Sequence, residues 1–108
     1  MASTFTSYVA KDVGTSPVSL ITVPAATVDT VIGLSIANTS AASITADVYV
    51  TRSAVNYYII KGASVPVGST FIMSGGDQKI VLIASDVLKV VTSAATSADV
   101  IASVLEMA

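Results

Sequence analysis

At 108 residues the chain has room for one domain with a single modest core. It contains no Cys and no His, which removes disulfides, thiolate nucleophiles, soft-metal sites, the usual general base near neutral pH and the commonest transition-metal ligand. Five basic residues against seven acidic ones leave a net charge of −2, the wrong sign and density for counterion release from a phosphate backbone, so nucleic acid is not an expected partner.

Val, Ile and Thr recur throughout, and their stiff χ1 suits a pleated strand better than a helix. The first predicted strand is Phe5 to Ala10, closed by the turn-rich run from Lys11 to Pro17. The polar stretch from Met1 to Thr6 reads as a flexible N-terminal arm able to add to a neighbour's sheet edge. Val18 to Val23 is the second strand and stops at Pro24. Thr30 to Ala37 sets Ile32, Leu34 and Ile36 on one face against Gly33 and Ser35 on the other. Asn38 to Ala42 then leads into Ile44 to Arg52, the strictest alternation in the chain. There Ile44, Ala46, Val48 and Val50 share one face, and Thr45, Asp47, Tyr49 and Thr51 share the other.

Further strands are predicted at Tyr57 to Lys61, Thr70 to Met73, Lys79 to Ala84, Leu88 to Thr92 and Val100 to Leu105. Val65-Pro66-Val67-Gly68-Ser69 is a tight reversal, and Ser74-Gly75-Gly76-Asp77-Gln78 reads as the turn of a hairpin. Ala98 to Met107 has some helix propensity, but its β-branched residues and the need for a closing strand favour β. The expected fold is all-β: one domain over residues 1–108, an antiparallel sandwich or jelly-roll-like barrel of about eight or nine short strands. Within it, Tyr57 and Tyr58 are adjacent on a strand, so one ring is expected in the core and the other on the surface. Tyr57, Tyr58, Phe5 and Tyr8 are the candidate interface residues, since aromatic rings offer large contact area.

Apolar residues make up 53% of the chain and charged ones 11%, against about 25% charged in an ordinary soluble domain. Too little charge is present to cover the outside at normal density, which predicts a surface that meets other protein, in a homo-oligomer or a lattice. Mean hydropathy is +0.81, yet the longest uncharged stretches, Val13 to Val28 and Thr30 to Ala46, are broken by Pro17 and Pro24 or diluted by Gly33, Asn38 and hydroxyl residues. Neither makes a spanning helix. The start lacks a basic region followed by an apolar one. A soluble protein made in the cytoplasm, with no membrane partner, is the expectation.

No chemistry-bearing motif stands out. Gly75-Gly76 lacks the strand-to-helix setting of a phosphate loop. Asp12, Asp29, Asp47, Asp77, Asp86, Asp99 and Glu106 are scattered, so a catalytic carboxylate pair would need the fold to bring two together. Asp86, following Ser85, suits a turn. No Ser has a His to activate it. The Gly75 to Gln78 turn offers calcium one carboxylate, where about six to eight oxygens are wanted. The expectation is a protein without catalytic residues, metal or cofactor.

The series from Tyr57 to Ser69, followed by Gly75 to Leu82, resembles small virion structural proteins of tailed bacteriophages, those infecting marine cyanobacteria among them. Val23 to Thr27, Ile36 to Ser40, Asp86 to Val90 and Ala98 to Glu106 fit the same pattern, so the likeness covers most of the chain from Val23 onward. It implies a β-sandwich subunit made in the host cytoplasm and carried in the virion in many symmetric copies, with major capsid or tail proteins as partners. One role it implies is a capsid-decorating or cement subunit, often a trimer, that strengthens the shell. The other is a tail, neck or baseplate component that attaches a fibre or builds a ring. Outside that class, a carbohydrate-binding sandwich or a bacterial surface-array or pilus module is the alternative. The first usually wants an aromatic platform, and here there is no Trp; the second usually carries an export signal.

Overall fold

Alternating β-branched residues separated by turns give nine strands among the described residues: β1 (Ser3–Val13), β2 (Val18–Thr22), β3 (Val28–Asn38), β4 (Ile44–Arg52), β5 (Val55–Val65), β6 (Thr70–Ile72), β7 (Ile80–Leu82), β8 (Val87–Thr92) and β9 (Ala98–Met107). The structure is a computed structural model that describes residues 3–72 and 79–108. Each predicted strand is present, and Ile44–Arg52 has the predicted ends. Ala98–Met107 is strand, as its β-branched content requires. Among the described residues no helix is long and apolar enough to cross a membrane.

The strands form two antiparallel sheets, ordered β1-β9-β3-β6, with β7 also on β3, and β2-β8-β4-β5. The chain changes sheet at β1–β2, β2–β3, β3–β4, β5–β6, β7–β8 and β8–β9; among the described residues only β4 and β5 are consecutive strands paired to each other. With β6 and β7 counted as one interrupted strand, this is the strand order of a jelly roll, a long hairpin rolled into two facing sheets. Val31, Leu34, Ile36, Val100 and Val104 of one sheet meet Val48, Val50, Leu88 and Val90 of the other in the core. Burial of each such side chain contributes about 1.5–3 kcal/mol.

Three expectations change. The stretch taken as a free arm is strand from Ser3 on, paired from Ser3 with Met107 to Thr6 with Val104, because β9 is long enough to hold it. Ser74 to Gln78 lie outside the described residues, but the strands they join are not hairpin partners. β6 pairs with Ser35 to Ala37 and β7 with Asp29 to Val31, end to end along the edge of an 11-residue β3. Finally, the phase of β3 breaks at a bulge between Val31 and Gly33. The extra residue, Ile32, is turned outward, and Asp29, Val31, Leu34 and Ile36 are buried toward the core.

The two ends of the sandwich are finished differently. At one end Asn38 donates from Nδ2 to the carbonyls of Ala42 and Val65, at 2.8 and 3.0 Å, and its Oδ1 accepts from Ser40. Thr92 and Ser97, buried and 2.7 Å apart, tie the neighbouring β8–β9 turn to the Val13 carbonyl. Gly14 passes this turn so closely that a Cβ would stand 3.1 Å from Ala95. The Val65–Ser69 reversal closes as predicted, with Ser69 N–H donating to the Pro66 carbonyl. The opposite end carries the two buried carboxyls, Asp29 and Asp86, with Glu106 and Arg52 beside them.

Candidate interaction surface

The strand register arranges the outer face of the β1-β9-β3-β6 sheet in rows. Val9 pairs with Ile101, Ile101 with Ser35, and Ser35 with Ile72, so these four side chains cross the sheet together. Two residues along, Ser7, Ser103 and Gly33 form a second row. Phe5, Leu105, Thr30 and Val81 make a third. Phe5 is 75% exposed, Val9 71% and Ile72 68%, with Val81 and Ile101 more than half exposed as well. No strand residue in these rows is charged. The first charges met are Lys11 and Asp99, an exposed ion pair at 3.5 Å beyond the Val9 row, and Lys79 at the rim just ahead of β7. Large apolar side chains on the wet side of a strand are what single-domain sheets normally avoid, so an uncharged apolar face of this breadth stands apart from an ordinary solvent-facing sheet. The small-residue row makes a shallow trough between the two apolar rows, with Phe5, Ser7, Ile32 and Ser103 along one stretch and Gly33, Ser35, Ile72 and Ile101 along the next.

The other sheet turns a polar face outward. Asp47 accepts from the Gly62 N–H at 2.7 Å and stands 3.6 Å from Lys61, and Lys61 lies over the Tyr58 ring at 4.4 Å. Tyr58 in turn packs on Tyr49, opposite it in the β4–β5 ladder, with ring centroids 4.9 Å apart. This cross-strand contact keeps Tyr49 buried on the face the alternation leaves to solvent.

Of the four candidate interface aromatics, Phe5 stands on the apolar face. Tyr8 does not: it points inward, half-buried, and its hydroxyl donates to Glu106 Oε1 at 2.9 Å. Neither Tyr57 nor Tyr58 enters the core; they are 57% and 47% exposed. β5 is an edge strand, so even the inward side of Tyr57, opposite Val50, overhangs the sandwich and meets Arg52 in place of a facing sheet.

Sequence reasoning missed a carboxyl pair. Asp29 and Glu106 face each other in the β3–β9 ladder. Asp29 is wholly buried and neither of its oxygens meets a donor when it is ionised. Once protonated, it donates to Glu106. Burial first, and then the shared proton and the charge of Glu106, raise its pKa from 3.8 to about 6. Tyr8, burying its phenol and donating to the same Glu106, is pushed up to about 12. At the same end Arg52 holds buried Asp86 with two hydrogen bonds, Nε to Oδ1 at 2.8 Å and Nη2 to Oδ2 at 2.6 Å. The Ile83 N–H adds a third at 2.9 Å. The bonds to Arg52 hold the Asp86 carboxyl below its usual range. Among the described residues no three metal-ligating side chains cluster. The Gly75 to Gln78 turn considered for calcium lies outside them.

Neither a family model, nor a curated protein sequence, nor a solved structure matches this chain.

Proposed function

We propose that the protein is a structural subunit of a bacteriophage virion, a capsid-decorating or cement protein that acts by burying the outer face of its β1-β9-β3-β6 sheet against other protein. The observation that carries this reading is that face, with Phe5, Val9, Ile72, Val81 and Ile101 exposed and no charge in their rows. Jelly rolls serve capsid and lectin domains alike, so strand order alone does not choose between them. The apolar rows favour protein contact, because sugar recognition relies on polar groups beside an aromatic ring. The choice of a virion rests on the resemblance read in the Tyr57 to Ser69 and Gly75 to Leu82 series, which no matching family or curated sequence backs. Its partners are then major capsid subunits and further copies of itself, and its place is the assembled particle.

Immunogold labelling of particles from a lysate that produces this chain tests the role. Gold over the shell is the expected result. Gold confined to the tail or neck moves the subunit to the second virion role, and unlabelled particles refute the reading altogether.

A further inference from the structure

We propose that the outer face of the β1-β9-β3-β6 sheet receives a second copy of this chain, face to face, about a two-fold axis along the Ser7–Ser103–Gly33 row. Gly33 is the first reason. Its backbone is not in the left-handed region, and an added Cβ would meet nothing closer than Ser103 Cβ at 4.0 Å. Nothing inside the chain requires glycine there, although glycine in a strand weakens it. What the missing side chain does is keep the trough open toward the outside, as close approach by another chain demands.

Register is the second reason. Rotation about that row lays the Val9–Ile101–Ser35–Ile72 row of one copy over the Phe5–Leu105–Thr30–Val81 row of the other. Strand by strand, Val9 meets Phe5, Ile101 meets Leu105, Ser35 meets Thr30 and Ile72 meets Val81. Apolar groups thus meet apolar groups, Ser35 meets Thr30, and the Ser7 and Ser103 hydroxyls on the axis meet their own copies.

Charge and area give the third. The opposite face carries Asp47, Lys61 and Lys89, so head-to-tail stacking would strip water from ions, and the self-complementary two-fold contact avoids this. Four strands about 4.8 Å apart and about nine residues long cover roughly 600 Å² in projection, and more as accessible surface. A stable standard-size contact takes about 800 Å² a side.

This inference names the partner of the face on which the virion reading rests. Sedimentation velocity of the purified chain, from micromolar to submillimolar, is expected to show a monomer–dimer equilibrium. Gly33→Val fills the trough and is expected to weaken the dimer at least about tenfold while leaving the melting temperature of the monomer unchanged or higher. Ile101→Lys gives the same loss, and Val9→Lys does so from the edge strand should the first variant not fold. In a chain without native cysteine, Ser103→Cys is expected to join to its own copy through a short bismaleimide, whereas Ser19→Cys on the other sheet stays single. A monomer throughout the range, a dimer indifferent to Gly33→Val, or equal cross-linking at both cysteines overturns the pairing. A dimer that never labels particles sinks the virion role and leaves the pairing standing; a monomer that labels the shell does the reverse.

Discussion

Asp29 keeps a proton at pH values where an ordinary aspartate has lost it, and this sets a testable pH profile. In the unfolded chain the group ionises near 3.8, and in the folded one near 6. Below 3.8 both states are protonated and the full stability is present; between about 4 and 6 the unfolded chain releases its proton first, so stability falls as pH rises and then levels. Asp86 acts oppositely. Its lowered folded pKa makes its contribution complete above the ordinary range and lost on acidification. Chemical denaturation as a function of pH is therefore expected to give a maximum at about pH 4–5, on the acid side of the common range. Asp29→Asn, which still donates to Glu106, is expected to flatten the fall from pH 4 to 6 and to stabilise the domain at pH 7 by about 1 kcal/mol, the shift being discounted for water around half-buried Glu106. An unchanged slope in that variant would show that Asp29 does not carry the titration. Asp86→Asn leaves Arg52 with a neutral partner and is expected to cost about 2 kcal/mol at pH 7 by urea titration. Nothing local in the sequence marks Asp29 or Glu106. They meet only through the β3–β9 register, a long-range fact that no window of the chain contains. The turn position of Asp86 was legible, and its partner Arg52 was not.

Between neighbouring elements, β4 and β5 are joined by Ser53-Ala54, with φ of 53° and 63°. Two left-handed residues closing an Arg52–Val55 pair make the two-residue turn that suits the twist of a hairpin, and it favours Asn-Gly. Ser and Ala bear the Cβ cost of that conformation. The double variant Ser53→Asn, Ala54→Gly is expected to stabilise the domain by about 1 kcal/mol, raising the melting temperature by about 4 °C. No gain in calorimetry would mean the turn is held without strain. The same chemistry explains what the sequence hid. Strands announce themselves by alternation, and all nine were readable. Ser53-Ala54 carries no turn signature, so β5 was expected to begin at Tyr57 when it begins at Val55. Bulges insert a residue without changing composition, so the reversal of phase at Ile32 left no trace in the pattern. That reversal also decides the candidate surface, because it places Ile32 beside Phe5 and Ser103.

Across the whole molecule, the sheet order means that nearly every ladder joins distant parts of the chain; β1 closes on β9, Ser3 opposite Met107. Such topologies fold slowly, in milliseconds to seconds, since loop-closure entropy is lost before the contacts that reward it form. The β4–β5 hairpin is the exception, the one ladder between consecutive strands among the described residues, and so the natural place for structure to begin. Pattern and composition sufficed to name the sandwich class, but not this order, since nothing in a strand's own residues says which distant strand it joins. If folding starts at this hairpin, a gain of about 1 kcal/mol from Ser53→Asn, Ala54→Gly enters the folding step, and the refolding rate rises up to about five-fold with unfolding nearly unchanged. Val104→Ala, in the late-forming β9, is expected to behave in the opposite way, speeding unfolding and leaving refolding close to that of the parent. Stopped-flow refolding and unfolding in urea separates the two. A turn variant that only slows unfolding, or a β9 variant that mainly slows refolding, would place the start of folding in the long-range β1-β9-β3 ladders.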